Sequence, residues 1–395
     1  MLAGGGCLGR LASAVESPEA RRKALGARAL GILQEATRDA EGDVRALAAE
    51  VFGAAGNAAA VPLLKRMLED KDRFVRVAAA ESLARLGDPD GVPSLERLAF
   101  DRPSEAAKGP MGALEELKAL PRAQARAAAI RSLARLESRS SERVLRRARR
   151  DRIGVVRDAA GAALARLGDP DELRSFARGL ADPDEGVRAA AAAALGEIAR
   201  PQAIGALAAA SRDASPQVRS SVLRALGAAA SGASLAEGAA AMSSVRRGLR
   251  DESELVQAAA IEALGRSGLP GVGPVLRAAR EEARSPYLQL LALDGLARLD
   301  KEIDLPLVER GLTQPDIDSR LLAIRVLESA RTEGAVELLE SALEHAEARV
   351  RVHAAAALVK RLARPPSGAS GRVPAGAKPP QAALPGLAAP GGQTP

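Results

Sequence analysis

Aromatic residues are almost missing from this chain. Its 395 residues include no tryptophan, one tyrosine (Tyr287) and four phenylalanines. Proteins that grip exposed bases or sugars use aromatic rings as stacking surfaces, so the composition argues against such a site. The core must instead be filled by small aliphatic side chains, which suit closely packed helices.

Cysteine and histidine are nearly as scarce. Cys7 is the only cysteine, so no disulfide can form within the chain. His345 and His353 lie eight residues apart, without the i, i+4 spacing that places two zinc ligands on one helix face. The sequence also contains no nucleophile elbow, phosphate-binding loop or His-Glu-x-x-His motif. We therefore expect a protein that is not an enzyme and has no catalytic residues, cofactor or metal.

Long apolar runs are absent as well. No stretch reaches the roughly 18 apolar residues of a membrane span, so no transmembrane segment is expected. The start, MLAGGGC, lacks the charged and apolar parts of a secretory signal, which favours a cytoplasmic protein. Small residues before Cys7 are also typical of the end of a lipoprotein signal. If translation starts upstream, the alternative is a lipid anchor on Cys7.

Charge of one sign is not dominant. The chain has 57 Lys and Arg residues against 50 Asp and Glu residues, a formal net charge of +7. A modest excess of this kind permits an acidic protein partner. Because acidic residues are interspersed with the basic ones, the composition does not favour nucleic acid.

What the sequence does contain is a repeat. A Val-Arg pair or a close equivalent recurs ten times, mostly at a spacing of 31 residues, with two longer gaps. A fixed period with occasional insertions is typical of solenoid proteins. The arginines of the repeat should form a column, and we interpret them as structural ties to a turn Asp or a carbonyl of an adjacent repeat. They are Arg45, Arg76, Arg126, Arg157, Arg188, Arg219, Arg320 and Arg351.

Each copy follows the same internal pattern. A large aliphatic residue stands eight positions after the Val of the pair, as Leu195 does after Val187, so both are predicted to face neighbouring repeats on one side of a helix. Glycines such as Gly87 and Gly168 end this helix, and a second apolar helix follows. Residues suited to cap the next helix precede five of the ten pairs, namely Asp72, Asp184, Ser215, Ser253 and Asp316. Every copy is therefore predicted to be a helical hairpin.

The pattern D-x-D-x-x-V-R-x-A-A-x-A-L-x-x-L-G-D-P-x-x-V-x-x-L resembles HEAT repeats, in particular the short form found in phycobilisome lyases and many bacterial scaffold proteins. The resemblance covers residues 20–363 and implies an all-α, right-handed superhelix of about ten repeats. With neighbouring helices about 8–10 Å apart, ten repeats would span about 90 Å of curved surface. Lyases of that family handle bilin chromophores, but no dedicated bilin-handling motif occurs in this chain.

The repeat pattern divides the chain into three parts. Residues 1–17 are predicted to be a flexible segment, 18–363 the solenoid, and 364–395 a disordered tail rich in Pro, Gly and Ala. The two longer gaps correspond to insertions near residues 100–121 and 227–242. Insertions in a solenoid emerge at its surface, where binding often takes place.

These features favour a monomeric protein-binding scaffold or adaptor whose partner is an unidentified protein. A basic surface would favour an acidic partner. The strongest basic cluster is on the second helix at 140–152, and its candidate binding residues are Arg143, Arg146, Arg147, Arg149 and Arg150. Two alternatives stay open: a nucleic-acid-binding protein with a basic concave face, and an accessory protein of the bilin-lyase type.

Overall fold

The computed structural model describes residues 17–101, 112–299 and 303–363. Within these ranges the chain forms twenty α-helices and no β-strand, as the repeat pattern predicts. The helices alternate between two sets. The even-numbered helices carry the Val-Arg pairs or their equivalents, and the odd-numbered helices connect them.

The even-numbered helices form a continuous layer, since each contacts the next, whereas the odd-numbered helices make few contacts with one another. An array curves toward the layer whose members are closest together, so we call the even-numbered set the inner helices and the odd-numbered set the outer helices. The inner helices are α2 (Gly42–Ala54), α4 (Arg73–Arg85), α6 (Gly112–Arg135), α8 (Gly154–Leu167), α10 (Glu185–Ile198), α12 (Pro216–Ala230), α14 (Glu254–Ser267), α16 (Pro286–Arg298), α18 (Ile317–Ser329) and α20 (Ala348–Ala363). The outer helices are α1 (Pro18–Ala36), α3 (Val61–Met67), α5 (Gly91–Ala99), α7 (Glu142–Ala148), α9 (Pro170–Gly179), α11 (Ile204–Ala210), α13 (Leu235–Gly248), α15 (Val272–Glu282), α17 (Leu305–Leu312) and α19 (Glu333–Ala342).

The predicted caps explain where most inner helices begin. At Asp72, Asp184, Ser215 and Asp316 the side chain accepts a hydrogen bond from a backbone N–H of the helix that follows. At Ser253 the cap prediction is wrong, because its side chain accepts no such bond. Gly87 and Gly168 have positive φ angles of 77° and 113° at the ends of α4 and α8, a conformation that favours glycine.

Small residues let the inner helices approach closely. A Cβ placed on Gly265 of α14 would lie 2.8 Å from the Cα of Gly295 on α16, and one on Gly227 of α12 would lie 2.6 Å from the Cα of Ala263. The aliphatic residues eight positions after the Val are fully buried beside these contacts, and Leu195 is 0% exposed. The alanines and glycines of the repeat are therefore spacers that allow the layer to form.

Val187 departs from the pattern. The equivalent residues Val156 and Val218 are 0% exposed, whereas Val187 is 44% exposed, so the prediction that it faces a neighbouring repeat is wrong. The outer helix before it, α9, contributes no fully buried residue to the packing. Sequence position alone predicts that Val187 is buried, whereas the structure leaves it exposed.

The two ends of the array are in contact. Helix α1 packs along α20, and α2 also touches α20. Arg21 of α1 forms an ion pair of 3.0 Å with Glu340 of α19, and Nη2 of Arg22 donates to the carbonyl of Leu362 at 2.7 Å. On the inner side, Arg349 lies 3.2 Å from Glu41.

This contact makes the array a closed ring. The last inner helix, α20, is not followed by an outer helix in the described residues, and α1 takes that place between α20 and α2. Leu25 and Leu33 of α1 belong to the same core as Leu358 of α20. With helix spacings of about 9 Å, ten inner helices in a ring place opposite helices about 30 Å apart. The sequence pattern predicts the curved surface but not that its ends meet.

The two insertions lengthen helices. The segment near 227–242 extends α12 and makes α13, at 14 residues, longer than any other outer helix except α1. The segment near 100–121 becomes the first part of α6, which contains Pro121, although residues 102–111 lie outside the described residues. Cys7, the tail from residue 364 and most of the segment 1–17 also lie outside them. No helix in the described part of the chain is both long and apolar enough to cross a bilayer.

Candidate functional site

The column arginines make contacts within the array, as Arg45 illustrates. Its Nη1 donates to the carbonyls of Asp39 and Ala40 in its own turn, at 2.7 and 3.0 Å. Its Nε and Nη2 donate to the carboxylate of Asp70, the turn residue of the next repeat, both at 2.8 Å. One guanidinium therefore clamps two successive repeats together.

Four more of the eight column arginines form the forward half of this clamp, the ion pair with an acidic residue of the next turn. Arg126, Arg188 and Arg219 bind the next turn's Asp, and Arg320 binds Glu347; the pairs are Arg126–Asp151 (2.5 Å), Arg188–Asp213 (2.7 Å), Arg219–Asp251 (2.8 Å) and Arg320–Glu347 (2.9 Å). The other three, Arg76, Arg157 and Arg351, donate to carbonyls of their own turns. Hydrogen bonds from the arginines lower the pKa of Asp70, Asp213 and Asp251.

The column is interrupted in two neighbouring repeats. Gln257 and Gln289 replace the arginine, and each still donates to a carbonyl of its own turn, at 2.7 and 2.9 Å. The turn residues that would accept the forward bond are also changed, to Ala283 and Gln314. The repeats that begin with α14 and α16 therefore lack both the arginine and the acidic acceptor of the forward ion pair.

A groove opens at the first of these interruptions. It has a volume of about 1220 Å³ and lies on the outer side of the ring, between α13 and α15, with Gln257 and Ala283 among its lining residues. The α13 side carries Arg246 and Arg247, and Arg250 follows directly after the helix. The side formed by α15 is mainly apolar and includes Pro274, Val275, Ala278 and Ala279.

The five candidate arginines on and after α7 fall into two groups. Arg146 pairs with Glu142 at 2.7 Å, Arg149 pairs with Glu172 at 2.7 Å, and Arg147 stacks over the ring of Phe100 at 4.6 Å. Arg143 and Arg150 are exposed and form no ion pair within the described part of the chain. Two of the five cations therefore form ion pairs, one stacks on an aromatic ring, and Arg143 and Arg150 are exposed without an ion pair in the described residues.

Most charges on the inner surface are paired with one another. They project from positions six to ten residues after the Val of each pair. The ion pairs are Glu81–Arg135 (2.5 Å), Arg131–Glu197 (2.9 Å), Arg224–Glu262 (3.0 Å), Asp294–Arg325 (3.1 Å) and Glu328–Lys360 (3.0 Å). This surface is a belt of alternating sign rather than a basic concavity.

Two groups on the inner helices, Glu50 and His353, have shifted pKa values. Protein around the carboxyl of Glu50 raises its pKa by partly excluding water, and nearby Glu81 adds to the effect, although the side chain still touches solvent. Burial lowers the pKa of His353 on α20, and Lys360 adds to this. His345 instead lies in the turn before α20, where its Nδ1 accepts from the backbone N–H of Glu347 at 3.1 Å. Across the described ranges, His, Cys, Asp and Glu side chains form no cluster that could hold a metal ion.

Comparison with protein families identifies the repeat. A family model described as HEAT repeats matches residues 29–109 and 173–237. Both stretches are HEAT repeats. The matched residues include α2 to α5 and α10 to α12, and the other helices of the array follow the same alternation of inner and outer helices. Comparison with curated proteins finds no match.

The solved structures that match this chain share little sequence with it. An engineered protein is 19% identical, covering 84% of this chain and 98% of its own, with a TM-score of 0.32. The complex of CpcE and CpcF of phycocyanin lyase from Nostoc sp. PCC7120 is 20% identical, covering 76% and 94%, with a TM-score of 0.31. Human deoxyhypusine hydroxylase in complex with glycerol is 20% identical, covering 68% and 95%, with a TM-score of 0.33. Likenesses at this level carry no argument about function.

The groove is the part of the surface that sequence reasoning missed. Its signal was present, because Gln257 and Ala283 break the Arg-and-Asp pattern at the same junction. An alignment of the repeats that compares only the recurring residues does not reveal the joint loss of an arginine and its acidic acceptor. The neighbouring insertion near 227–242 was recognised, and it supplies the α13 wall.

Proposed function

We propose that the protein is a monomeric, non-catalytic scaffold that binds a partner protein on the outer surface of its ring. The observation that supports this most directly is the groove between α13 and α15. Its volume of about 1220 Å³ exceeds the roughly 300–1,000 Å³ of small-molecule sites, and it is open and lined by both charged and apolar side chains. Such a surface suits a protein segment.

Closure of the ring supports the same proposal. An open solenoid exposes an apolar face at each end and needs capping repeats. Here α1 covers α20, so neither end of the array is free to associate with a second copy. Most inner charges are paired with one another, whereas Arg143 and Arg246, which are exposed and form no ion pair in the described residues, lie on the outer side.

The two alternative functions find less support. A nucleic-acid-binding ring needs a continuous basic surface, whereas Glu81, Glu262 and Asp294 interrupt the inner arginines. An accessory role in bilin attachment rests on the resemblance to lyase-type HEAT repeats, and the complex of CpcE and CpcF contributes no residue-level argument. Both are outcomes that the following experiment distinguishes.

Site-specific photocrosslinking tests the proposal. The photoreactive residue p-benzoylphenylalanine replaces Ala278 or Arg143 on the outer surface, and Ala193 on the inner surface serves as the control. We expect discrete protein adducts from one or both outer positions and none from Ala193. Absence of protein adducts at both outer positions, a salt-sensitive gel shift with nucleic acid, or colour after co-expression with a bilin pathway would each contradict it.

A further inference from the structure

The groove lies where the arginine column is interrupted. Its lining residues indicate which kind of partner segment can bind there. In the preceding repeat, Arg219 reaches forward to Asp251 at 2.8 Å and closes the junction between α12 and α14. In the next repeat, Gln257 reaches back to the carbonyl of Asp251, and Ala283 offers no acceptor side chain. The junction that follows α14 therefore lacks the forward pair that Arg219 forms in the repeat before it, because both the arginine and its acidic acceptor are replaced.

The two walls of the groove differ in character. Arg246 and Arg250 stand on the α13 side, are exposed, and have no ion-pair partner among the described residues. Arg247, between them, donates to the hydroxyl of Ser244 at 3.0 Å. The opposite wall, α15, presents Pro274, Val275 and Ala278. The α13 side is thus mainly cationic, and the α15 side is mainly apolar with Glu282 and Arg284 at its end.

The glutamates near the groove restrict the ligand further. Glu252 and Glu254 lie at the start of α14, and Glu282 lies at the end of α15. Their charges oppose a uniformly anionic polymer such as nucleic acid. A ligand with carboxylates on one side only can place them against Arg246 and Arg250 and direct its other side toward α15.

We propose that this groove binds an amphipathic helix of the partner protein, with its acidic face against Arg246 and Arg250 and its apolar face against α15. The proposal rests on the scaffold function above and specifies its binding site. A helix laid between α13 and α15 would fill the space that the missing clamp leaves. Apolar positions spaced i, i+3, i+4 and i+7 would contact Val275 and Ala278, as in other helix-in-groove complexes.

Synthetic peptides provide the test. The probe is a fluorescein-labelled 15-residue peptide with Leu at helical spacing on one face and Glu on the other. The comparison peptides replace Glu by Lys, or keep the composition and scramble the order. Binding to the full chain is measured by fluorescence anisotropy at low and at moderate salt. Salt screens exposed charges, so binding that depends on the arginines should weaken as salt is added.

Three variants connect binding to the groove. The double variant Arg246→Glu and Arg250→Glu should weaken binding of the Glu peptide at least about tenfold, since two attractive contacts become repulsive. Ala278→Trp, which fills the groove without changing charge, should weaken it as well. The matched control, Arg143→Glu with Arg150→Glu on and after α7, should bind the peptide as the unmodified protein does.

Each outcome supports or overturns the inference. Equal binding of the Glu and Lys peptides overturns the charge assignment, and equal binding of the scrambled peptide overturns the helix. An equal loss in the α7 double variant shows that the site is elsewhere. If the groove inference fails in these ways while Arg143 still crosslinks to a protein, the scaffold function stands and only its site is wrong.

Discussion

At the scale of single residues, the array depends on carboxylates held by the arginine column. The pair Arg126–Asp151 is the most enclosed, since both side chains are 4% exposed. Nε of Arg126 also donates to the carbonyl of Ala99 at 2.9 Å, so the charge is hydrogen-bonded on two sides. A buried pair of this kind adds little net stability relative to apolar residues, but losing one partner leaves an uncompensated charge.

Asp151→Ala should therefore lower the free energy of unfolding by about 3–5 kcal/mol. The double variant Arg126→Met with Asp151→Leu should recover much of that loss because it removes both charges. The comparison is Glu142→Ala, which breaks the exposed pair with Arg146 and should cost less than about 0.5 kcal/mol. Denaturant titration followed by circular dichroism measures all three, and equal losses for Asp151→Ala and Glu142→Ala would contradict the assignment.

Acid sensitivity should follow from the same carboxylates. The hydrogen bond from Arg188 lowers the pKa of Asp213 in the folded protein below its value in the unfolded chain, about 3.9. The unfolded state then takes up protons first, so the stabilisation is complete above about pH 5 and is lost as the pH falls through the folded-state pKa. Asp70 and Asp251 should contribute in the same sense.

Asp213→Asn isolates this contribution. The variant should be less stable than the unmodified protein at pH 7, and the difference should shrink as the pH falls toward 3. Asp171→Asn is the matched control, because Asp171 pairs with Arg174 at the exposed surface and 82% of its side chain is accessible. A difference for Asp213→Asn that stays constant with pH would show that its charge is not what the clamp uses.

At the scale of the helices, the sequence was informative wherever a residue acts within one repeat period. Leu195 and its equivalents are buried as predicted, and four of the five proposed caps form. The prediction failed at Val187, which follows α9, an outer helix that has no buried residue of its own. The groove at Gln257 was not predicted for a related reason, because it forms where the ion pair between two repeats is absent.

The exposed Val187 and the buried Val218 occupy equivalent positions and form a matched pair. Val218→Ala should cost about 1–3 kcal/mol, because Val218 is 0% exposed. Val187→Ala should change the free energy of unfolding by no more than about 0.5 kcal/mol, since the side chain is 44% exposed. Equal costs in thermal or chemical denaturation would show that α9 covers Val187 in solution.

Leu195→Asp tests the packing between inner helices. A carboxylate at this fully buried position has no partner, so the variant should lose several kcal/mol or unfold part of the array. Ala193→Asp on the same helix is the control, because Ala193 is exposed on the inner surface and should tolerate the change. An unchanged melting curve for Leu195→Asp would contradict the assignment of the buried layer.

At the scale of the whole molecule, the distinguishing feature is closure. Ten hairpins require ten outer helices, and the tenth is α1, from the other end of the chain. The ion pairs Arg21–Glu340 and Arg349–Glu41 join the ends. Sequence patterns predict each hairpin but not closure, because closure depends on small angles that accumulate over all ten repeats. A closed ring fixes its curvature, which keeps the α13–α15 groove at a constant width for a partner.

Crosslinking of the two ends tests closure most directly. Arg21 and Glu340 are both replaced by Cys in a Cys7→Ser background, and a short bismaleimide is added at low protein concentration. Closure predicts rapid intramolecular crosslinking that joins the α1 and α19 peptides in mass spectra. A control that pairs Arg21→Cys with Arg174→Cys on α9, four outer helices away along the ring, should not crosslink. Failure of the first pair to react within one molecule, with both cysteines shown to be accessible, would mean that the array is open and that α1 does not complete the last hairpin.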